Sequence, residues 1–331
     1  MFQKAIKIFA IITLFVGCNL SSNKLEVQNK SVVKKKFSDV EWVKDEKFNY
    51  GDIRRYGFSG PMLNNVQIDS IFLLASKGVK VKFPSGFYNI NLIIENKKNI
   101  NIEFNKSVIC GKISFENVEN VNITGEFTAL DMMFFKNSSN ININGARIAT
   151  NIAHNLYNEA NRGVSIYSGS KNIYIKDLKI LNSGGSSRRF IYNQASLLIH
   201  GFLNTPQNIT IDNLLISNSK RTGAYISGRD HKFKKIVIEN FGSGELNSNI
   251  KPIEKAEIGG EKKFSGLWLN LNENNIIDSL IIENNNSSLP LIKFDKSLGY
   301  IPNVIKNMSI TNNRNNYLIS ENSNTLVLNE F

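Results

Sequence analysis

Four side chains able to move a proton or steady a negative charge fall close together mid-chain: His200, Lys220, Tyr225 and Arg229. Further basic groups surround them: Arg188, Arg189, Arg221 and His231, with Asp230 between Arg229 and His231. This set suits β-elimination on an acidic sugar polymer. That reaction needs a cation or acid to hold the carboxylate as the neighbouring proton leaves, and a base to take that proton. His200, Tyr225 and Arg229 are the best-placed catalytic candidates, and Lys220 follows. Hydrolysis usually wants two carboxylates flanking the bond. Asp230 stands alone in this region and Asp295 lies much further on, so a glycoside hydrolase ranks third. Calcium would need a carboxylate cluster, which the region lacks. No Cys/His set has zinc-ligand spacing. No cofactor is expected.

These residues sit on four similar segments: GVSIYSG (163–169), SLLIHGF (196–202), GAYISGR (223–229) and GLWLNLN (266–272). Alternating side chains of a strand point to opposite faces. With Val164/Ile166, Leu197/Ile199, Ala224/Ile226 and Leu267/Leu269 inward, two outward columns result. One is Ser165, Leu198, Tyr225 and Trp268; the other is Tyr167, His200, Ser227 and Asn270. Outward Tyr and Trp offer flat apolar area with a polar tip, a suitable platform for sugar rings. Tyr167, Trp268, Asn270, Arg188, Arg189 and Arg221 are therefore the expected substrate-binding residues. A non-catalytic glycan-binding or surface-structural protein is the competing reading, since it needs no carboxylates.

The segments belong to a repeat. A second strand type recurs as Ile100-Asn-Ile102, Val121-Asn-Ile123, Ile141-Asn-Ile143, Ile173-Tyr-Ile175, Ile209-Thr-Ile211, Ile236-Val-Ile238, Leu280-Ile-Ile282 and Met308-Ser-Ile310, at intervals of 20 to 44 residues. Five copies follow an Asn, at 99, 120, 140, 172 and 208. Asn and Gly suit the turns because both tolerate positive φ. Such a recurrence with variable insertions predicts a solenoid. Three insertions, Ala149–Arg162, Ser183–Ala195 and Phe241–Phe264, all precede the platform strands and would wall one edge of that sheet. Ahead of the coils, Asn64 or Asn65 caps a helix whose apolar stripe is Val66, Ile68, Ile71, Phe72, Leu74 and Ala75, ended by Gly78. It would lid the first coil, because an open solenoid end exposes core and strand edges.

This pattern resembles the pectin-lyase-like superfamily. Asp52-Ile-Arg-Arg-Tyr-Gly57 is similar to that family's D-V-x-x-F/Y-G opening, and Phe83-Pro-Ser-Gly-Phe-Tyr88 to its F-P-x-G-x-Y turn. The stretch FSGPMLNNVQ departs from the acidic run expected between them. The resemblance implies an all-β fold, a single-stranded right-handed parallel β-helix with the capping helix at its start. It also implies lyases that use Arg or Lys as base, often with calcium, and with the basic, aromatic face it makes lyase-type elimination on an acidic polysaccharide the first expected function. The paired Asp residues and G-H-G motif of the family's hydrolases are missing.

The N-terminus reads as a targeting segment, residues 1–17. Lys4 and Lys7 precede the apolar Ile8–Val16, too short to span a bilayer. Phe15-Val-Gly-Cys18 resembles a bacterial lipobox, which implies cleavage and lipidation at Cys18; an ordinary signal peptide is the alternative. Either way export is expected, to a periplasmic or cell-surface membrane face. Residues 18–40 form a Lys-rich tether, and 41–331 the β-helix domain. Cys110, in an apolar strand, is expected to be buried. The net charge is +12, which favours an acidic polysaccharide partner. Nucleic acid is not expected, for lack of a binding motif.

Overall fold

A computed structural model describes residues 37–59, 63–150, 161–184, 195–201, 203–242, 264–283, 289–311 and 317–331. The targeting segment, Cys18, Arg188 and Arg189, and most of the three insertions lie outside these residues. Phe37–Phe331 forms one compact unit.

The opening motif makes a tight knot. Asp52 caps a 3₁₀ turn, Ile53–Tyr56, by accepting from the Arg54 N–H, and Gly57 closes it at φ +77°. The buried Tyr56 hydroxyl accepts from the Gly51 N–H and donates to Asp39, which also pairs with Arg55. Burial pushes the Tyr56 phenol up to about 12. Helix α1, Asn65–Ser76, follows, with Asn64 and Gln67 exchanging hydrogen bonds as a capping box. Ile68, Ile71, Phe72, Leu74 and Ala75 are buried over the first coil. Val66 is exposed instead. At about 100° per residue it lies some 200° round from Ile68, on the solvent side.

Among the described residues, twenty strands then run in parallel in two alternating series. The long series is β1 (Val81–Phe83) with β2 (Gly86–Tyr88), then β4 (Lys98–Ile109), β6 (Glu119–Ala129), β8 (Ser139–Ala149), β10 (Lys171–Leu181), β12 (Gln207–Ser217), β14 (Lys232–Glu239), β16 (Ile276–Glu283), β18 (Asn303–Thr311) and β20 (Thr325–Glu330). The short series is β3 (Leu92–Glu95), β5 (Ile113–Glu116), β7 (Met132–Lys136), β9 (Gly163–Tyr167), β11 (Ala195–His200), β13 (Thr222–Arg229), β15 (Leu267–Glu273), β17 (Ile292–Phe294) and β19 (Tyr317–Ile319). Each strand pairs in register with the equivalent strand one coil on, so the chain is a single-stranded parallel β-helix.

The long strands turn a corner midway. In β10 the buried residues are Ile173 and Ile175, then Leu178 and Ile180. That change of phase requires a bend if both halves are to face one core. At the bend of β6, Gly125 has φ +76°, and a Cβ there would strike the Phe104 carbonyl. Inside, Phe83, Phe104 and Phe127 stack coil on coil at 5.0 Å, and Phe115 on Phe135 at 4.8 Å. Outside, Asn99, Asn120, Asn140, Asn172 and Asn208 all adopt φ of 51–59°. From Asn120 on, each side-chain amide donates to the one on the coil before it, at 2.8–3.1 Å. Cys110 is half-buried, because it follows the last inward residue of β4, and its burial raises the thiol pKa.

Candidate functional site

The outer face of the short series carries the site. The register brings Ser165, Leu198, Tyr225 and Trp268 into one column, with Phe134 before it and Lys293 after. Tyr167 and His200 pair in the next column. The inward partners Val164, Ile166, Leu197, Ile199, Ala224, Ile226, Leu267 and Leu269 are all buried in the core. The two columns join into a strip of rings across five coils. Centroid distances are 5.4 Å for Phe134–Tyr167, 6.3 Å for Tyr167–His200, 5.6 Å for His200–Tyr225 and 5.0 Å for Tyr225–Trp268. At the far end the Lys293 ammonium lies 3.8 Å from the Trp268 ring centroid and 3.7 Å from the Asp295 carboxylate.

Burial along the strip is uneven. Leu198 and Tyr225 are each only 4% exposed, whereas Tyr167, His200 and Trp268 are half-buried. Burial raises the Tyr167 and Tyr225 phenols; in Tyr225 the hydrogen bond from Asn270 (3.1 Å) opposes that rise, and Asp295 adds to it. Burial lowers the His200 imidazole below its ordinary 6.5, so it is neutral at pH 7 and can accept a proton. The Trp268 indole N–H and the Ser165 hydroxyl are buried with no partner among the described residues. Buried donors of this kind are uncommon and costly.

Other sequence candidates are placed elsewhere. Ser227 does not join the second column. It is fully buried, its hydroxyl donating to the Ile199 carbonyl on the strand one coil earlier, and β15 carries one extra residue opposite it at Asn270–Leu271. Arg221, with 5% exposure, is buried just before β13 begins, and Lys220 precedes it. Arg229 is exposed at the other end of β13, four residues and roughly 13 Å of strand beyond Tyr225. His200 and Tyr225 therefore meet, while Lys220 and Arg229 lie towards opposite ends of the strand.

His231 is no part of the basic rim. It is fully buried: Nδ1 accepts from the Ile209 N–H at 3.1 Å and Nε2 donates to the Ser227 carbonyl at 3.0 Å. Burial drives its pKa down to about 4. Asn275 and Asn303 occupy the same slot on later coils, each side chain accepting the backbone N–H of the slot residue one coil earlier.

Phe134 and Lys293 were not legible as site residues from the platform segments alone. The signal for Lys293 is the alternation in LIKFD, which puts it in the Trp268 column. Among the described residues no three His, Cys, Asp or Glu side chains gather as a metal site. No protein-family model, curated protein or solved structure gave a match to this chain.

Proposed function

We propose that the protein holds an acidic polysaccharide along the aromatic strip. The observation carrying this reading is the unbroken run Phe134–Tyr167–His200–Tyr225–Trp268, ended by the Lys293 cation. Sugar rings stack on aromatic faces, and a positive overall charge draws an anionic chain. Trp268 and Tyr167 supply stacking area. Asn270 supplies a polar contact, and Lys293 meets a carboxylate. The signal segment and Cys18 fit an exported, lipid-anchored protein acting at a bacterial membrane surface.

Lyase-type elimination is the second reading, and the neutral His200 imidazole packed against Tyr225 favours it. His200 would take the proton beside the uronate carboxylate, with Tyr225 against the same sugar; Lys293, three coils on and about 14 Å away, would meet a carboxylate on another residue of the polymer. The bond to the leaving sugar oxygen would break as the new carbon–carbon double bond forms, and water would protonate that oxygen.

Incubation with a panel of acidic and neutral polysaccharides tests both. Retention on an acidic glycan, weakened about tenfold or more by Trp268→Ala, supports the binding reading. Retention on no glycan overturns it. A rise in the ultraviolet absorbance of unsaturated uronate, abolished by His200→Ala, adds elimination. New reducing ends without that absorbance would mean hydrolysis.

A further inference from the structure

A second feature lies at the corner of the long strands, on a different face from the aromatic strip. There a cavity of about 400 Å³ is lined by Lys106, Glu126, Thr128, Gly145, Arg147, Asp177 and Lys179, among others. Its shape follows from the bend. Glu126, Gly145 and Asp177 share one column on three successive coils, and Thr128, Arg147 and Lys179 share the next outward column. Gly145 keeps an ordinary backbone conformation, so φ does not demand a glycine. The Glu126 side chain instead packs over it, its Cγ 3.2 Å from where a Cβ would sit.

The charges are the telling part. Elsewhere on the solenoid, cations meet carboxylates across coils at 2.7–2.8 Å: Lys80 with Glu103, Lys98 with Glu119, Lys234 with Asp212, Lys306 with Asp278 and Arg162 with Asp131. In the cavity that habit fails. Arg147 and Lys179 are direct register neighbours, an arrangement that costs stability because like charges face each other about 4.8 Å apart. Neither has an ion pair among the described residues, nor do Lys106 and Glu126. Asp177 is occupied by the Asn213 amide at 2.8 Å. Adjacent unpaired cations around an open volume are what an anionic ligand would complete.

We propose that this corner cavity is a second binding site, for the carboxylate or sulfate of an acidic saccharide. Arg147 grips the anionic group in a two-pronged hydrogen bond and Lys179 adds charge. Thr128 and Glu126 take the hydroxyls beside it, and the open cavity admits the ring. The site stands whether or not the aromatic strip binds glycan.

The test is nuclear magnetic resonance titration of the protein, following the Arg147 side-chain N–H and the Gly145 and Lys179 amides. A short oligouronate and a sulfated disaccharide are the probes, with inorganic phosphate and inorganic sulfate as separate arms. The expected result is saturable shifts at these positions with a saccharide. Arg147→Ala with Lys179→Ala should weaken binding at this locus about tenfold or more, and Trp268→Ala should leave it unchanged. Arg147→Lys, which keeps the charge and the fold but loses the planar fork, should give an intermediate loss. Saturable shifts with inorganic anions only, or no saturable shift at all, would overturn the proposal. So would a saccharide response indifferent to both Arg147 variants.

Discussion

Each of the two strand series carries one histidine, and the two are embedded in opposite ways. His231, at the foot of the long strand β14, is fully buried with both ring nitrogens engaged to backbone. His200, at the end of the short strand β11, is half-buried, and its contacts are the faces and edges of Tyr167 and Tyr225. The contrast extends to the series themselves. Long strands from β4 to β18 keep eight to twelve residues, carry the Asn ladder and tie charges across coils. Short strands vary from three to eight residues, and from β7 to β15 their outer face carries the run of rings from Phe134 to Trp268. The long series closes the backbone hydrogen bonding and core. The short series shares that core on its inner side and is free to vary on its outer one.

The sharpest way to break this contrast is core truncation in the long series. Phe233→Ala removes a ring that is 1% exposed, and should cost about 3–5 kcal/mol in urea unfolding. A loss below about 1 kcal/mol would mean that the long series does not dominate stability.

Acid comes next. His231 has a folded pKa near 4 against an unfolded value near 6.5. Between those values the unfolded chain binds the extra proton, so stability rises with pH. The contribution is complete above about pH 6.5 and is lost as pH falls towards 4, on the order of 3 kcal/mol in all. Stability measured at steps across that window should show the slope, and His231→Gln should flatten it at the expense of a lower plateau. An unchanged slope in the variant would move the acid sensitivity elsewhere.

A smaller effect is expected in the ladder. Asn140 holds φ +56° and bonds Asn120 and Asn172 on either side. Asn140→Ala should cost about 1–2 kcal/mol, since alanine dislikes the left-handed region and both amide bonds go. Asn140→Gly should recover part of that loss, because glycine adopts the conformation freely. Equal losses in the two variants would assign the whole cost to the ladder and none to φ.

What was readable in the chain depended on repetition. The Asn at 99, 120, 140, 172 and 208 recur at one slot, so their positive φ and stacking follow from a single physical argument. The outward column through Ser165, Leu198, Tyr225 and Trp268 was readable because two-residue alternation persists across those strands. The second column breaks after His200 because β15 holds one extra residue opposite Ser227, and no local composition announces such a bulge. His231 was misplaced because a histidine amid Arg, Asp and Lys resembles a solvated turn. Only comparison with the same slot in other coils, Asn275 and Asn303, shows an inward acceptor. The corner cavity was not visible at all. It arises from the bend, which an alternation pattern does not encode.

The smallest expected change in stability is at His200. No hydrogen bond from its ring is present among the described residues, and its neighbours are rings that can close over a small gap. His200→Ala should therefore shift the unfolding free energy by no more than about 1 kcal/mol. The same substitution removes the one neutral imidazole on the aromatic strip, so retention on an acidic glycan or product formation should change far more than stability does. Lowering the pH towards the depressed pKa of His200 protonates the ring. That protonation would slow any elimination that uses it as a base, and the effect on rate should vanish in the alanine variant. If His200→Ala instead destabilised the protein as much as Phe233→Ala, the short series would be as structural as the long one. The aromatic strip would then be read as packing rather than as a site.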